Sequence, residues 1–140
     1  MPELPEVETT CRGLARVFEN AEIAHIEVRR RDLRWPIPDD LEQQLTGHRI
    51  MRLWRRAKYI LIELSNGAIW MIHLGMSGRM IVEPSGHNEP SKRTAPHVHV
   101  VAETTRGDVV LYQDARRFGS MAWISNDQLE SHPRMANLGI

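Results

Sequence analysis

Past residue 20, the apolar residues of this chain fall in short runs, each closed by a turn signal, and few folds can be built from such pieces. Ala21–Arg31 carries Ile23, Ala24, Ile26 and Val28 in near-alternation. Arg49–Arg56, Tyr59–Leu64, Ala68–His73, Gly78–Glu83, His97–Glu103, Asp108–Gln113 and Ser120–Ile124 read as further strands. Ser65-Asn66-Gly67 and Arg106-Gly107-Asp108 are turn signals between them. Trp35-Pro36-Ile37-Pro38 interrupts regular structure, and Asp39 is placed to cap a short helix running to Leu45. Pro84–Pro96 is polar and rich in Pro, Ser and Gly, which predicts a mobile loop. About eight short strands, an N-terminal helix and a short second helix predict a mostly β fold with α additions: a two-layer antiparallel β-sandwich.

The N-terminal helix is read from Leu4, Val7, Cys11, Leu14, Ala15 and Phe18, which make one apolar stripe at helical spacing. Pro5 suits its first turn. Ahead of it stands Pro2. A small second residue normally allows removal of the initiator methionine, which would leave Pro2 with a free secondary amine. An α-amino group titrates near ~8, so part of it is unprotonated at neutral pH. Such an amine attacks an aldehyde carbon to give an electron-withdrawing iminium. Glu3 and Glu6 share a helical face beside it and could move protons. Acids in a first helical turn also serve simply as partners of the helix dipole.

The 140 residues are enough for one domain with a real core, and 41% hydrophobic with 26% charged is ordinary for a globular chain. No apolar run approaches a membrane span, and acids stand where a signal peptide would be basic. The lone cysteine, Cys11, lies on the helix stripe and reads as core; it leaves no internal disulfide and no cysteine-rich zinc site. These features predict a cytoplasmic protein with no membrane partner.

Net charge is zero, but the charges are sorted. Arg49, Arg52, Arg55, Arg56 and Lys58 form a strip without an acid; Arg29, Arg30, Arg31 and Arg34 form another, and Arg116-Arg117 a third. Such strips suit contact with a nucleic-acid backbone, or protect sheet edges from pairing.

Four segments then stand in order: Pro2-Glu3-Leu4-Pro5-Glu6-Val7-Glu8-Thr9, Arg55-Arg56-Ala57-Lys58-Tyr59, His73-Leu74-Gly75-Met76-Ser77-Gly78, and Asp114-Ala115-Arg116-Arg117-Phe118-Gly119. With Leu33-Arg34-Trp35-Pro36, they make the chain resemble the formamidopyrimidine-DNA glycosylases along essentially its whole length. The resemblance implies base-excision repair of double-stranded DNA carrying oxidised or abasic lesions, by a bacterial enzyme acting as a monomer. It implies a bifunctional glycosylase and lyase removing 8-oxoguanine and formamidopyrimidines.

Residue by residue, the resemblance makes Pro2 the nucleophile at deoxyribose C1′ and Glu3 the acid that assists ring opening. It makes Glu6 a further acid near the site, and Lys58 the lysine that contacts phosphate and lesion and assists β-elimination. His73 is implied to contact a phosphate beside the flipped nucleotide. Met76, Arg116 and Phe118 are implied to enter the gap that nucleotide leaves, replacing its stacking and bonding the orphaned base. His97 is implied to contact DNA. By spacing, His97 and His99 would share one strand face; no third metal ligand accompanies them. Apolar Met76 and Phe118 would otherwise read as core, and Arg116 and Lys58 as solvated charges.

Several positions depart from the family. Val98 and Val101 replace expected acids near the histidines, and Ala115 replaces the proline before the paired arginines. At Ile140 the family passes into a second domain with a helix–two-turn–helix element and a four-cysteine zinc finger, so no zinc or other cofactor is expected in these residues. With Met1 retained, the Pro2 nitrogen is an amide and cannot attack. The expectation is therefore the catalytic half of a glycosylase or, alternatively, a silent fragment that binds the DNA backbone weakly.

Overall fold

Val7, Cys11, Leu14 and Phe18 sit on one side of helix α1 (Leu4–Phe18), and all four are buried. The structure is a computed structural model and describes residues 4–131. Pro2 and Glu3 lie outside the described residues. Ala15, assigned to the stripe by spacing, is half-buried, whereas Val17, outside that stripe, is buried. Helix α1 packs across β2 (Ile50–Arg56), β3 (Tyr59–Leu64) and β5 (Gly78–Glu83), so it touches both sheets.

The remaining strands are β1 (Ile23–Val28), β4 (Ala68–His73), β6 (Val98–Thr104), β7 (Val109–Asp114) and β8 (Ser120–Ser125). They form two four-stranded antiparallel sheets, ordered β1-β6-β7-β5 and β2-β3-β4-β8. This is the expected two-layer sandwich. Its inner faces bury Ile60, Ile62, Trp70 and Ile72 from one sheet and Val100, Val110 and Tyr112 from the other. Phe18 lies against Trp70, with ring centroids 6.1 Å apart.

The second helix, α2 (Leu41–Leu45), is capped by Asp40 rather than Asp39, and without a side-chain cap bond. Asp40 is occupied elsewhere: its Oδ1 accepts the Trp123 indole N–H at 2.9 Å. The 84–96 segment, predicted as a mobile loop, folds back as a strap. The buried Glu83 carboxylate accepts the Ser91 hydroxyl at 2.8 Å and the Lys92 N–H at 2.7 Å. Ala95 packs over Val98, Val101 and Leu111 on the outer face of their sheet. Among the described residues, no helix is long and apolar enough to cross a membrane.

Strand register aligns one end of the second sheet. Arg56 pairs with Tyr59, Tyr59 with His73, and His73 with Ser120, so a row of polar and aromatic side chains crosses four strands. At the same end of the first sheet, Gly78 pairs with Asp114. The connections 74–77 and 115–119 both cross between sheets at this end.

Phe18→Ala should lower unfolding free energy by about 3–5 kcal/mol, the usual cost of emptying a large aromatic site in a core. Met51→Ala, at an exposed position, should change it by less than about 0.5 kcal/mol. Urea denaturation of both variants checks the expectation.

Candidate nucleic-acid interface

Asp114 is fully buried, and its carboxylate is ringed by donors from both crossing connections. Oδ1 accepts the Ser77 hydroxyl and, at 3.0 Å, the Arg117 N–H. Oδ2 accepts the Tyr112 hydroxyl at 2.5 Å and the Gly119 N–H at 2.9 Å. Burial raises this carboxyl, but the bonds from Ser77, Tyr112, Gly119 and Arg117 outweigh it and hold Asp114 below the usual carboxylate range. Burial, then the bond to Asp114, pushes the Tyr112 phenol far upward, so its hydroxyl stays a donor. Ser77 also accepts the Arg116 N–H at 3.2 Å, closing the knot.

Around that knot the backbones touch. Gly75 has φ +64°, and a Cβ there would lie 2.5 Å from the Phe118 carbonyl carbon. A Cβ on Gly119 would lie 2.0 Å from the Tyr112 hydroxyl. Only glycine permits either approach. A third segment joins them. Arg34 N–H donates to the Gly119 carbonyl at 3.1 Å, and Arg117 Nη1 donates to Asp32 Oδ2 at 2.5 Å.

What these loops present is apolar and exposed. Met76 is 58% accessible, Trp35 44% and Phe118 41%. With Arg34, Tyr59 and His73 they line an open cleft of about 510 Å³. Tyr59 meets the His73 ring edge-on, centroids 4.9 Å apart. The Gly75 N–H donates to His73 Nδ1 at 3.0 Å, which puts the proton of the neutral imidazole on Nε2.

The sequence-predicted residues divide into groups. His73, Met76 and Phe118 meet at the cleft, and Arg116 is anchored beside Met76 through Ser77. Lys58 sits in the two-residue turn joining β2 to β3, after Ala57 at φ 51°, and not within a strand. Glu6 is exposed on α1. His97 precedes β6 at φ 67° and is exposed, so it does not lie on a strand with His99, yet the two rings still meet edge-on with centroids 6.4 Å apart. His99 is buried and donates from Nε2 to the Asp114 carbonyl at 2.7 Å. Lys58, Glu6 and His97 do not line the cleft among the described residues.

Helix α1 is nevertheless tied to the Lys58 turn. Arg55 Nε donates to Glu8 Oε1 at 2.9 Å and Nη1 to the Ala57 carbonyl at 3.0 Å. The Arg55 bond is the main cause that holds Glu8 below its ordinary value. Sequence reasoning assigned no role to Glu8, Ser77, Tyr112, Asp114 or Trp35, and gave Arg34 only a place in a basic strip. Ser77 and Asp114 lie inside the quoted motifs; what identifies them is burial, which the motif does not carry.

Residues 1–121 match the family described as the formamidopyrimidine-DNA glycosylase N-terminal domain. The chain belongs to that family. Proteins named formamidopyrimidine-DNA glycosylase are similar along 99% of the chain: 45% identical in Azorhizobium caulinodans and 49% in a Caulobacter species and in Ruegeria pomeroyi. The chain spans about half the length of these relatives. The family fold is matched by Lactococcus lactis formamidopyrimidine-DNA glycosylase in complex with DNA containing an abasic site, at a TM-score of 0.78 and 28% identity over 93% of this chain and 46% of that one. The same enzyme non-covalently bound to such DNA matches at 0.77.

Asp114→Asn should cost about 2–3 kcal/mol of stability at pH 7, since it removes charge-assisted bonds from a buried site. A carboxyl depressed on folding contributes fully above its unfolded value near ~3.9, and the contribution is lost as pH falls through the lower folded value. The deficit of the Asn variant should therefore hold from neutral pH to about pH 4 and shrink below it. Denaturation midpoints of the two proteins across that range check the sign.

Proposed function

We propose that this chain carries the catalytic half of a DNA glycosylase and lyase acting on oxidised purines. The observation that supports this best is the pair of exposed apolar side chains, Met76 and Phe118, held on loops locked by Asp114 beside His73. A thioether and a phenyl ring projecting from rigid loops are suited to fill the space of an extruded nucleotide. Arg116, on the same loop system, supplies donors for the base left unpaired. Lys58 and His73 are the cations and donors for the flanking phosphates.

In this reading the unprotonated Pro2 nitrogen attacks C1′ of the damaged nucleoside. The C1′–base bond breaks, and the proton that the newly bonded Pro2 nitrogen sheds passes to the departing base. Glu3 delivers a proton to the ring oxygen, the sugar opens, and the C1′–nitrogen bond becomes an iminium. The iminium acidifies C2′; loss of a C2′ proton expels the 3′ phosphate, with Lys58 neutralising the departing charge. Glu6 supports the acid chemistry at the start of α1. The partner is double-stranded DNA with an oxidised or abasic lesion. The Met1-retaining chain has an amide at Pro2 and is silent in this chemistry.

Borohydride trapping on abasic DNA tests the reading. Protein with Met1 removed should form a covalent adduct, and Pro2→Gly should reduce adduct yield strongly. Equal trapping by Met1-retaining, Met1-free and Pro2→Gly proteins would remove Pro2 as nucleophile, and no trapping by any of them would leave a backbone-binding fragment. Met76→Ala with Phe118→Ala should weaken binding to abasic duplex by about tenfold or more, because unstacking costs a few kcal/mol. A gel-shift titration reads that loss.

A further inference from the structure

Of the four large apolar side chains exposed among the described residues, three converge on one cleft. The chemistry proposed above uses Met76 and Phe118. It leaves Trp35 and Arg34 without a task. We infer that Trp35 and Arg34 form a stacking site for an unstacked nucleobase, separate from the Pro2 chemistry.

The cleft has the composition such a guest requires. Trp35, Tyr59 and Phe118 bring aromatic surfaces to its walls. The Arg34 guanidinium lies over the Trp35 ring, 5.5 Å from its centroid, so a cation backs the indole that borders the cleft. Arg34 and His73 bring N–H donors, and nucleobase edges are rich in acceptors. Its volume of about 510 Å³ lies within the range of small-ligand pockets. Among the described residues nothing acidic lines it, so none of those walls opposes a nucleotide's phosphate.

The platform is also held still. Arg34 is hydrogen-bonded through its backbone to Gly119, and Asp32 is fastened to Arg117. Trp35 is therefore carried by the same knot that carries Phe118. A base leaving the stack at the Met76–Phe118 wedge finds an aromatic surface already ordered, with little conformational entropy left to lose. Base–aromatic stacking tolerates any sequence, which suits a site meeting whichever base stands beside a lesion. The nucleic-acid arm of this inference rests on the proposed DNA reading; the cleft itself does not.

The unstacked base has two sources, a single strand or a disrupted duplex. The full chain is titrated with oligothymidylate, with duplex carrying a one-nucleotide bulge, and with fully paired duplex, following anisotropy of labelled DNA and tryptophan emission. The wild type should bind the first two with quenched emission. Trp35→Phe should still bind them, without that quenching. Trp35→Ala should bind both at least about tenfold more weakly, and paired duplex within about twofold of wild type. Tightening confined to the bulged duplex assigns the site to a base leaving a helix; comparable binding of oligothymidylate assigns it to single strands. If Trp35→Ala binds all forms like wild type, or weakens on paired duplex as much as on the others, the inference is wrong. If no DNA form binds, the DNA reading fails, and deoxyguanosine monophosphate decides the cleft: Trp35-dependent quenching keeps it, and its absence removes it.

Discussion

One buried carboxylate holds the functional end of this sandwich together. Asp114 terminates β7 and accepts bonds from Ser77 on one crossing connection, Arg117 and Gly119 on the other, and Tyr112 from its own strand. A charge with no exposure is costly unless its lone pairs are occupied, and here four donors occupy them. Loops that would otherwise sample many conformations thereby share one geometry. The exposed Met76 and Phe118 are tolerable because the backbone beneath them has no freedom to bury them.

The arginines show a second division of labour. The basic strips look alike in sequence but are not used alike. Arg52 pairs with Glu63, Arg55 with Glu8, Arg31 with Glu42 and Arg117 with Asp32. Such exposed or half-exposed pairs add little stability each, but they fix directions. Arg55 orients the start of α1 relative to the hairpin bearing Lys58, and Arg117 moors the Trp35 loop. The zero net charge thus hides structural pairs set beside cations without such pairs among the described residues, Lys58 and Arg116.

Much of the fold was legible because strands with one buried face announce their period. The turn at Gly67 and the helix stripe through Phe18 followed from spacing and turn chemistry. What failed to show was decided by contacts distant in sequence. Asp39 was the reasonable cap, yet Asp40 stands at the helix start and spends its carboxylate on Trp123, 83 residues away. The polar 84–96 segment is the irregular, mostly exposed loop its composition suggests, but nothing local told that Glu83 would bond Ser91 and Lys92 within it. A two-residue period puts His97 and His99 on one strand, but His97 stands just outside β6 at a positive φ, and it is their rings that meet. At the interface, motif register pointed to Met76, Arg116 and Phe118, whereas Asp114 was only a letter within a motif until its burial was known.

The near-contact of Gly75 with the Phe118 carbonyl carries a consequence for how chains of this kind can vary in length. Two connections that meet backbone to backbone cannot lengthen or shorten independently, because an inserted residue in either would displace the other. The turns at 65–67 and 105–108 lie at the opposite end of the sheets and have no such neighbour from the crossing connections. An insertion there disturbs local bonds, such as Thr105 N–H to the Glu22 carbonyl and Asn126 N–H to the Gly67 carbonyl, besides the small entropic cost of a longer loop. The sandwich thus has one end whose length is set and one that is open to extension, and any segment grafted onto this scaffold belongs at the latter.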